Sequence, residues 1–182
     1  LTDLPIAFRQ ALQIVISAVG GFLILYDGFL LATSRGIPFW NTAVLPVLFF
    51  VAALLGGSAG VLLTTPFAFG AVNLGLLELL DRMLLGSIAI LIIIFLWSAY
   101  YTTSAAKRSV MELTTGYISG PFIGGVIVLG LVIPLTVVAY TTFAVDTNLI
   151  YVLGTASVLS IIGDFFLKYS ILKAGIYPPF QA

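Results

Sequence analysis

From Gly36 to Leu77 the chain runs for 42 residues without a charged side chain. A helix that crosses a bilayer needs about 20 mostly apolar residues, so this stretch is long enough for more than one crossing. Four further charge-free runs follow the same logic: Gln10 to Tyr26, Met83 to Ala106, Leu113 to Val145 and Thr147 to Gly163. Of the 182 residues, 61% are hydrophobic and only 8% charged, with a mean hydropathy of +1.22. Soluble domains run at about 45–50% apolar and about 25% charged. That leaves too little charge to coat a water-facing surface, and it also excludes a disordered chain.

Turn chemistry divides the runs into five expected helices. The first covers about Leu12–Thr33 and is stopped by Ser34, Arg35, Gly36 and Pro38. The second covers about Thr42–Thr65, with Asn41 or Thr42 as N-cap, and closes before Pro66. The third covers about Leu76–Tyr101, and the fourth about Pro121–Thr142 with Pro121 in its first turn. The fifth covers about Leu149–Leu172, beyond which Pro178 and Pro179 forbid continuation. Residues 34–41, 66–75, 102–120 and 143–148 are expected as connections, the second being either an aromatic interfacial one through Phe67 and Phe69 or a re-entrant or frayed end of the second helix. The runs lack the alternation of barrel strands. The expected fold is therefore all-α: one polytopic transmembrane helix bundle over residues 1–182. The glycines Gly20-Gly21, Gly56-Gly57, Gly60 and Gly124-Gly125 are expected to let helices approach closely.

Basic residues orient such a bundle. Arg9 and Arg82 fall on the starting side, while Arg35, Lys107, Arg108, Lys168 and Lys173 fall on the other. Five against two places the second side, and the C-terminus, in the cytoplasm. A chain that starts at Leu1, with an outside N-terminus and an odd number of spans, is expected to be a C-terminal fragment whose upstream helices are missing.

The polar inventory is narrow. Seven acidic and seven basic residues cancel, and there is no basic patch to suggest nucleic acid. With no cysteine and no histidine, thiolate and imidazole metal sites are excluded, as are Ser-His and Cys-His nucleophile pairs.

Several segments carry a family likeness. Tyr26-Asp27-Gly28-Phe29-Leu30-Leu31 fits a Y-x-G-x-L-L helix end, Pro38-Phe39-Trp40-Asn41 a P-x-W-N loop, and Leu45-Pro46-Val47-Leu48-Phe49 an L-P-x-L-F helix start. Leu80-Asp81-Arg82 fits an L-D-R helix start. Gly120 to Val126 with Gly130 to Leu135, and Gly163 to Gly175, fit the two helices that follow. In this order they resemble the NrfD / polysulfide-reductase family of membrane subunits. The sequence departs from the family pattern at Asp27, at Asp164 (usually glycine) and at Lys168 (usually arginine).

The resemblance implies a subunit that is not catalytic alone. It would exchange electrons with menaquinone or ubiquinone, bound exchangeably, and carry no haem or metal itself. It would anchor an iron–sulfur, ferredoxin-like subunit and with it a molybdopterin catalytic subunit, in the cytoplasmic membrane. The alternative from another class is a fragment of a secondary transporter or channel, which should show broken helices, inverted repeats and a midplane site.

Ionisable groups inside a bilayer are functional candidates by default. Asp27 lies about 9 Å inside the end of the first helix at ~1.5 Å per residue and is the candidate catalytic residue, exchanging a proton with the quinone. The competing readings are a carboxylate reaching the interface and an ion pair with Lys168. Tyr26 and Gly28 are the candidate quinone-binding residues: the Tyr26 hydroxyl can donate to a quinone carbonyl, the competing reading being a tyrosine of the interfacial aromatic belt. Tyr26 and Asp27 point about 100° apart, so both face one site only if it is broad. Glu78, Asp81 and Arg82 are expected as a self-neutralising cluster at the outer mouth of the third helix, or as a proton exit. Asp164 and Lys168, four apart, are expected as an ion pair or part of a proton path.

Overall fold

A computed structural model describes residues 5–64, 74–143 and 149–177. Helix α1 spans Ile6–Ala32, α2 spans Val44–Thr64 and α3 spans Leu74–Thr102. A short α4, Ser104–Thr114, precedes a π-helical segment, Gly120–Val132, that continues directly into α5, Ile133–Phe143. Helix α6 spans Leu149–Lys173. Among the described residues five helices are long and apolar enough to cross a membrane: α1, α2, α3, the π segment with α5, and α6. The five expected spans are all present, and no strand occurs among the described residues. The expected aromatic connection after α2 lies mostly outside the described residues, as does the short one before α6.

Helix α2 is central and packs against α1, α3 and α6, while α6 also packs on the π segment and α5. The core is built from Leu45, Leu48, Ala52 and Leu55 of α2, Leu85, Ile88 and Phe95 of α3, Phe122 and Val126 of the π segment, and Leu167 and Ile171 of α6. Helix α1 stands apart: of its residues only Gly28 is buried. Gly28 lies against Pro46, where an added Cβ would fall 2.7 Å from the proline Cα, so only glycine permits this contact. Pro46 itself sits in the first turn of α2, where its missing N–H breaks no helical bond.

Three local expectations are corrected. Residues 102–120 are not simply a connection, because the Thr103 hydroxyl accepts the Ala106 N–H at 3.1 Å and so caps a new helix, α4. Helix α2 starts at Val44 rather than Thr42; the Thr42 N–H bonds back to the Trp40 carbonyl at 2.8 Å, and the buried Thr42 hydroxyl has no partner. The fourth span begins in π geometry, a form that is rare beyond a single turn, and returns to α geometry one residue before Pro134.

Of the glycines expected to allow close helix approach, Gly125 does so and most of the others do not. A Cβ on Gly20, Gly21, Gly57, Gly60 or Gly124 would meet nothing within 4 Å. Among the described glycines, Gly130 of the π segment and Gly163 of α6 bring two backbones together, and a Cβ on Gly130 would fall 2.7 Å from the Gly163 Cα. Gly125 does pack closely, against the Phe166 ring.

One end of the bundle is tied together by polar contacts. The Trp40 indole N–H donates to the Ile171 carbonyl at 2.9 Å. The Ile176 N–H donates to Ser109 Oγ at 3.2 Å. The α1–α2 connection, α4 and the end of α6 therefore share one side of the membrane, the side that carries Arg35, Lys107, Arg108 and Lys173.

Candidate functional site

Near that basic end, α1, α2 and α6 leave a groove of about 300 Å³ between them. Leu30, Leu31, Phe49 and Leu172 make its walls, and Asp27 and Lys168 supply its charged groups. The groove exists because Gly28 draws the end of α1 onto α2, which places Asp27, one residue earlier, at the seam facing α6. The Lys168 Nζ donates to Asp164 Oδ2 at 2.7 Å. The ion pair expected between these two is present, with the carboxylate the less exposed partner. Asp27 thus shares a groove with Lys168 without forming the ion pair with it that the sequence also allowed.

The three adjacent candidates at the end of α1 part company. Asp27 lines the groove, Gly28 is spent on the contact with Pro46, and Tyr26 is about half exposed with its ring stacked on Phe22. Tyr26 is not among the residues that line the groove. Successive helical residues point about 100° apart, and that turn leaves Tyr26 outside the groove that Asp27 lines.

Toward the opposite end lies a second polar group. Arg82 donates to Glu78 Oε1 at 2.9 Å and to the Val138 carbonyl of α5 at 3.4 Å. Asp81 is not part of this cluster, which corrects the expected three-residue grouping. It turns into the core, is 3% exposed, and receives a hydrogen bond from Ser58 Oγ of α2 at 2.8 Å. Ser58 Oγ is also 2.9 Å from the Leu55 carbonyl. One hydroxyl proton faces two acceptors, so Asp81 can accept from Ser58 or, when carrying a proton, donate to it.

Sequence reading missed Ser58; the one signal available was a polar side chain inside an apolar span, which needs a partner. Ser58 shares a face with the buried Leu55 and Leu62, and Asp81 shares one with the buried Leu85, Ile88, Ile92 and Phe95. Spacings of three and four put both polar side chains on core faces, and a buried polar group needs a partner. Among the described residues no group of three or more His, Cys, Asp or Glu side chains is placed to hold a metal ion.

Known proteins share this sequence pattern. The family described as "Polysulphide reductase, NrfD" matches residues 1–179. The C subunit of polysulfide reductase from Wolinella succinogenes is 29% identical over 180 residues, covering 96% of the present sequence and 56% of that protein. Protein NrfD of Escherichia coli K12 is 27% identical over 173 residues, covering 91% of the present sequence and 52% of that protein. The chain therefore spans about half the length of these curated relatives. No solved structure matches it significantly.

Proposed function

The chain belongs to the polysulphide reductase NrfD family, and from that premise we propose that it is a quinone-reactive part of the membrane subunit of a respiratory oxidoreductase. The observation that carries the reading is the groove between α1, α2 and α6. It is an apolar slot of about 300 Å³ with one carboxylate and one ammonium group in its lining, at the lower end of the size range of small-molecule sites. Leu30, Leu31, Phe49 and Leu172 suit an apolar ring and the start of an isoprenoid tail. Menaquinone and ubiquinone both have this chemistry, and either would bind exchangeably from the bilayer.

Reduction of a quinone to a quinol takes two electrons and two protons. The electrons come from outside this subunit, delivered by an iron–sulfur partner subunit, with a molybdopterin subunit as the catalytic end of the complex. The groove's own residues contribute position and protons. Lys168, held by Asp164, places a positive charge where an oxygen of the quinone gains negative charge. Asp27, exposed in the groove, passes a proton to or from that oxygen. Glu78, Arg82 and Asp81 with Ser58 form a second polar level that can serve proton movement on the other side of the bundle. Neither haem nor metal is assigned to this subunit. Family membership favours this reading over a transporter fragment.

A photoreactive quinone analogue tests it. Reacted with the full-length protein in its assembled complex, it should label peptides containing Asp27–Leu31 or Lys168–Leu172, and unmodified menaquinone should compete. Labelling only in other segments would overturn the assignment of the groove.

The basic end, and the C-terminus with it, is proposed to face the cytoplasm, in the cytoplasmic membrane. Tyr117, in the connection after α4 and 90% exposed, is the residue to probe; Ser109 on the same side is fully buried. A cysteine placed at Tyr117 (Y117C) should react with an impermeant thiol reagent only after the membrane is opened. Ready reaction in intact cells would reverse the topology.

A further inference from the structure

Where the π segment crosses α6, a small gap remains in the core. Ala52 and Leu55 of α2, Ile88 of α3 and Gly130 of the π segment close it on three sides, and Ser160 and Asp164 of α6 supply its polar lining. Its volume is about 10 Å³ of space for a water-sized sphere, close to what one water molecule requires. The wide turns of the π segment and the backbone contact of Gly130 with Gly163 set its shape.

Two polar atoms on this lining are buried without a hydrogen-bond partner: Ser160 Oγ and Asp164 Oδ1. Ser160 is 1% exposed. The buried Thr42 and Ser170 hydroxyls are also unpartnered but do not line this gap, while Ser157 satisfies itself on its own helix by donating to the Leu153 carbonyl at 2.9 Å. Ser160 does not. The other Asp164 oxygen is already taken by Lys168 at 2.7 Å, so Oδ1 is the free acceptor. Residues four apart on a helix have Cβ atoms about 5–6 Å from each other, a span that one water bridges with a hydrogen bond to each.

We propose that this gap is a specific site for one internal water, held by Ser160 Oγ and Asp164 Oδ1. The water donates to the carboxylate and shares its second hydrogen bond with the serine hydroxyl. It satisfies both buried groups and completes a hydrogen-bonded line, Lys168, Asp164, water and Ser160, along one face of α6 from the groove into the core. The site stands on the gap and the two unpartnered atoms, and it holds whether or not the groove binds a quinone.

The sign of a stability change tests it, because a wet and a dry gap predict opposite results. In a wet gap, Ser160→Ala removes one of the two anchors of the water and lowers the thermal midpoint of the full-length protein in its complex. In a dry gap, the same change removes a buried, unsatisfied hydroxyl and raises the midpoint. A lowered midpoint is expected; an unchanged or raised one overturns the proposal. A cryo-electron microscopy map of the wild-type complex that resolves internal waters gives an independent reading. It should show a peak within hydrogen-bond distance of both Ser160 Oγ and Asp164 Oδ1. A map with other internal waters and no peak there overturns the site even if Ser160→Ala fails to assemble.

Discussion

Gly163→Ala is expected to push α6 off the π segment and to lower stability by about 1–3 kcal/mol, the range for overpacked cores. At Gly163 the added methyl would collide with the Cα of Gly130. Neither partner has a side chain to rotate away, so two backbones have to separate. Much of the contact surface of α6 would loosen with them, including Leu167 against the core. Gly57→Ala is the control. A Cβ there meets nothing within 4 Å, and alanine is the better helix former by about 1 kcal/mol, so this variant should be neutral or slightly more stable. Denaturant unfolding of the full-length protein in detergent compares the two. Equal stability of Gly163→Ala and wild type would mean that the Gly130–Gly163 contact does not hold these helices together.

The largest functional effect is expected at Asp27. Positioned proton transfer contributes about 10²–10⁴-fold to a reaction rate, so Asp27→Asn should lower quinone-linked turnover of the assembled complex by about 100-fold or more. Assembly should survive, because Asp27 is exposed on the groove and its neighbour Gly28 makes the helix contact. Asparagine keeps the shape and hydrogen-bonding capacity of the side chain but cannot carry the proton. Tyr26→Phe is a useful companion. The ring stacks on Phe22 and does not line the groove, so its loss of a hydroxyl should alter turnover far less than Asp27→Asn does. Wild-type quinone turnover in an assembled Asp27→Asn complex would remove Asp27 from the proton chemistry. Loss of assembly instead would point to a structural role, with Lys168, the other charged group of the groove, as the first partner to test in a double mutant.

The two predictions depend on different kinds of information. The position of Asp27 within a helix end was legible from Leu12–Thr33 as a charge-poor run stopped by Gly36 and Pro38. That Asp27 faces a groove, while Tyr26 does not, follows only from Gly28 meeting Pro46. The Asp164–Lys168 pair was legible because it is made within one helix at a spacing of four. The Ser58–Asp81 bond was not, because its partners are 23 residues apart on two helices. The grouping of Asp81 with Arg82 failed because adjacent residues on a helix diverge, and burial chose between them.

The five spans needed nothing beyond the sequence. Charge-free length against bilayer thickness, and proline and glycine where helices stop, are local quantities that no tertiary contact has to supply. Which helix faces meet was a tertiary decision. In a soluble helix the apolar stripe marks the buried side, but here the outward faces are as apolar as the core: Ile14, Phe22, Ile93 and Trp97 are exposed, so hydrophobicity carries no direction. Steric fit between small residues decides instead, and Gly130 and Gly163 meet while Gly57 and Gly60 meet nothing. That fit sets where the gap opens in the core, which carboxylate turns inward and which one is left at the groove.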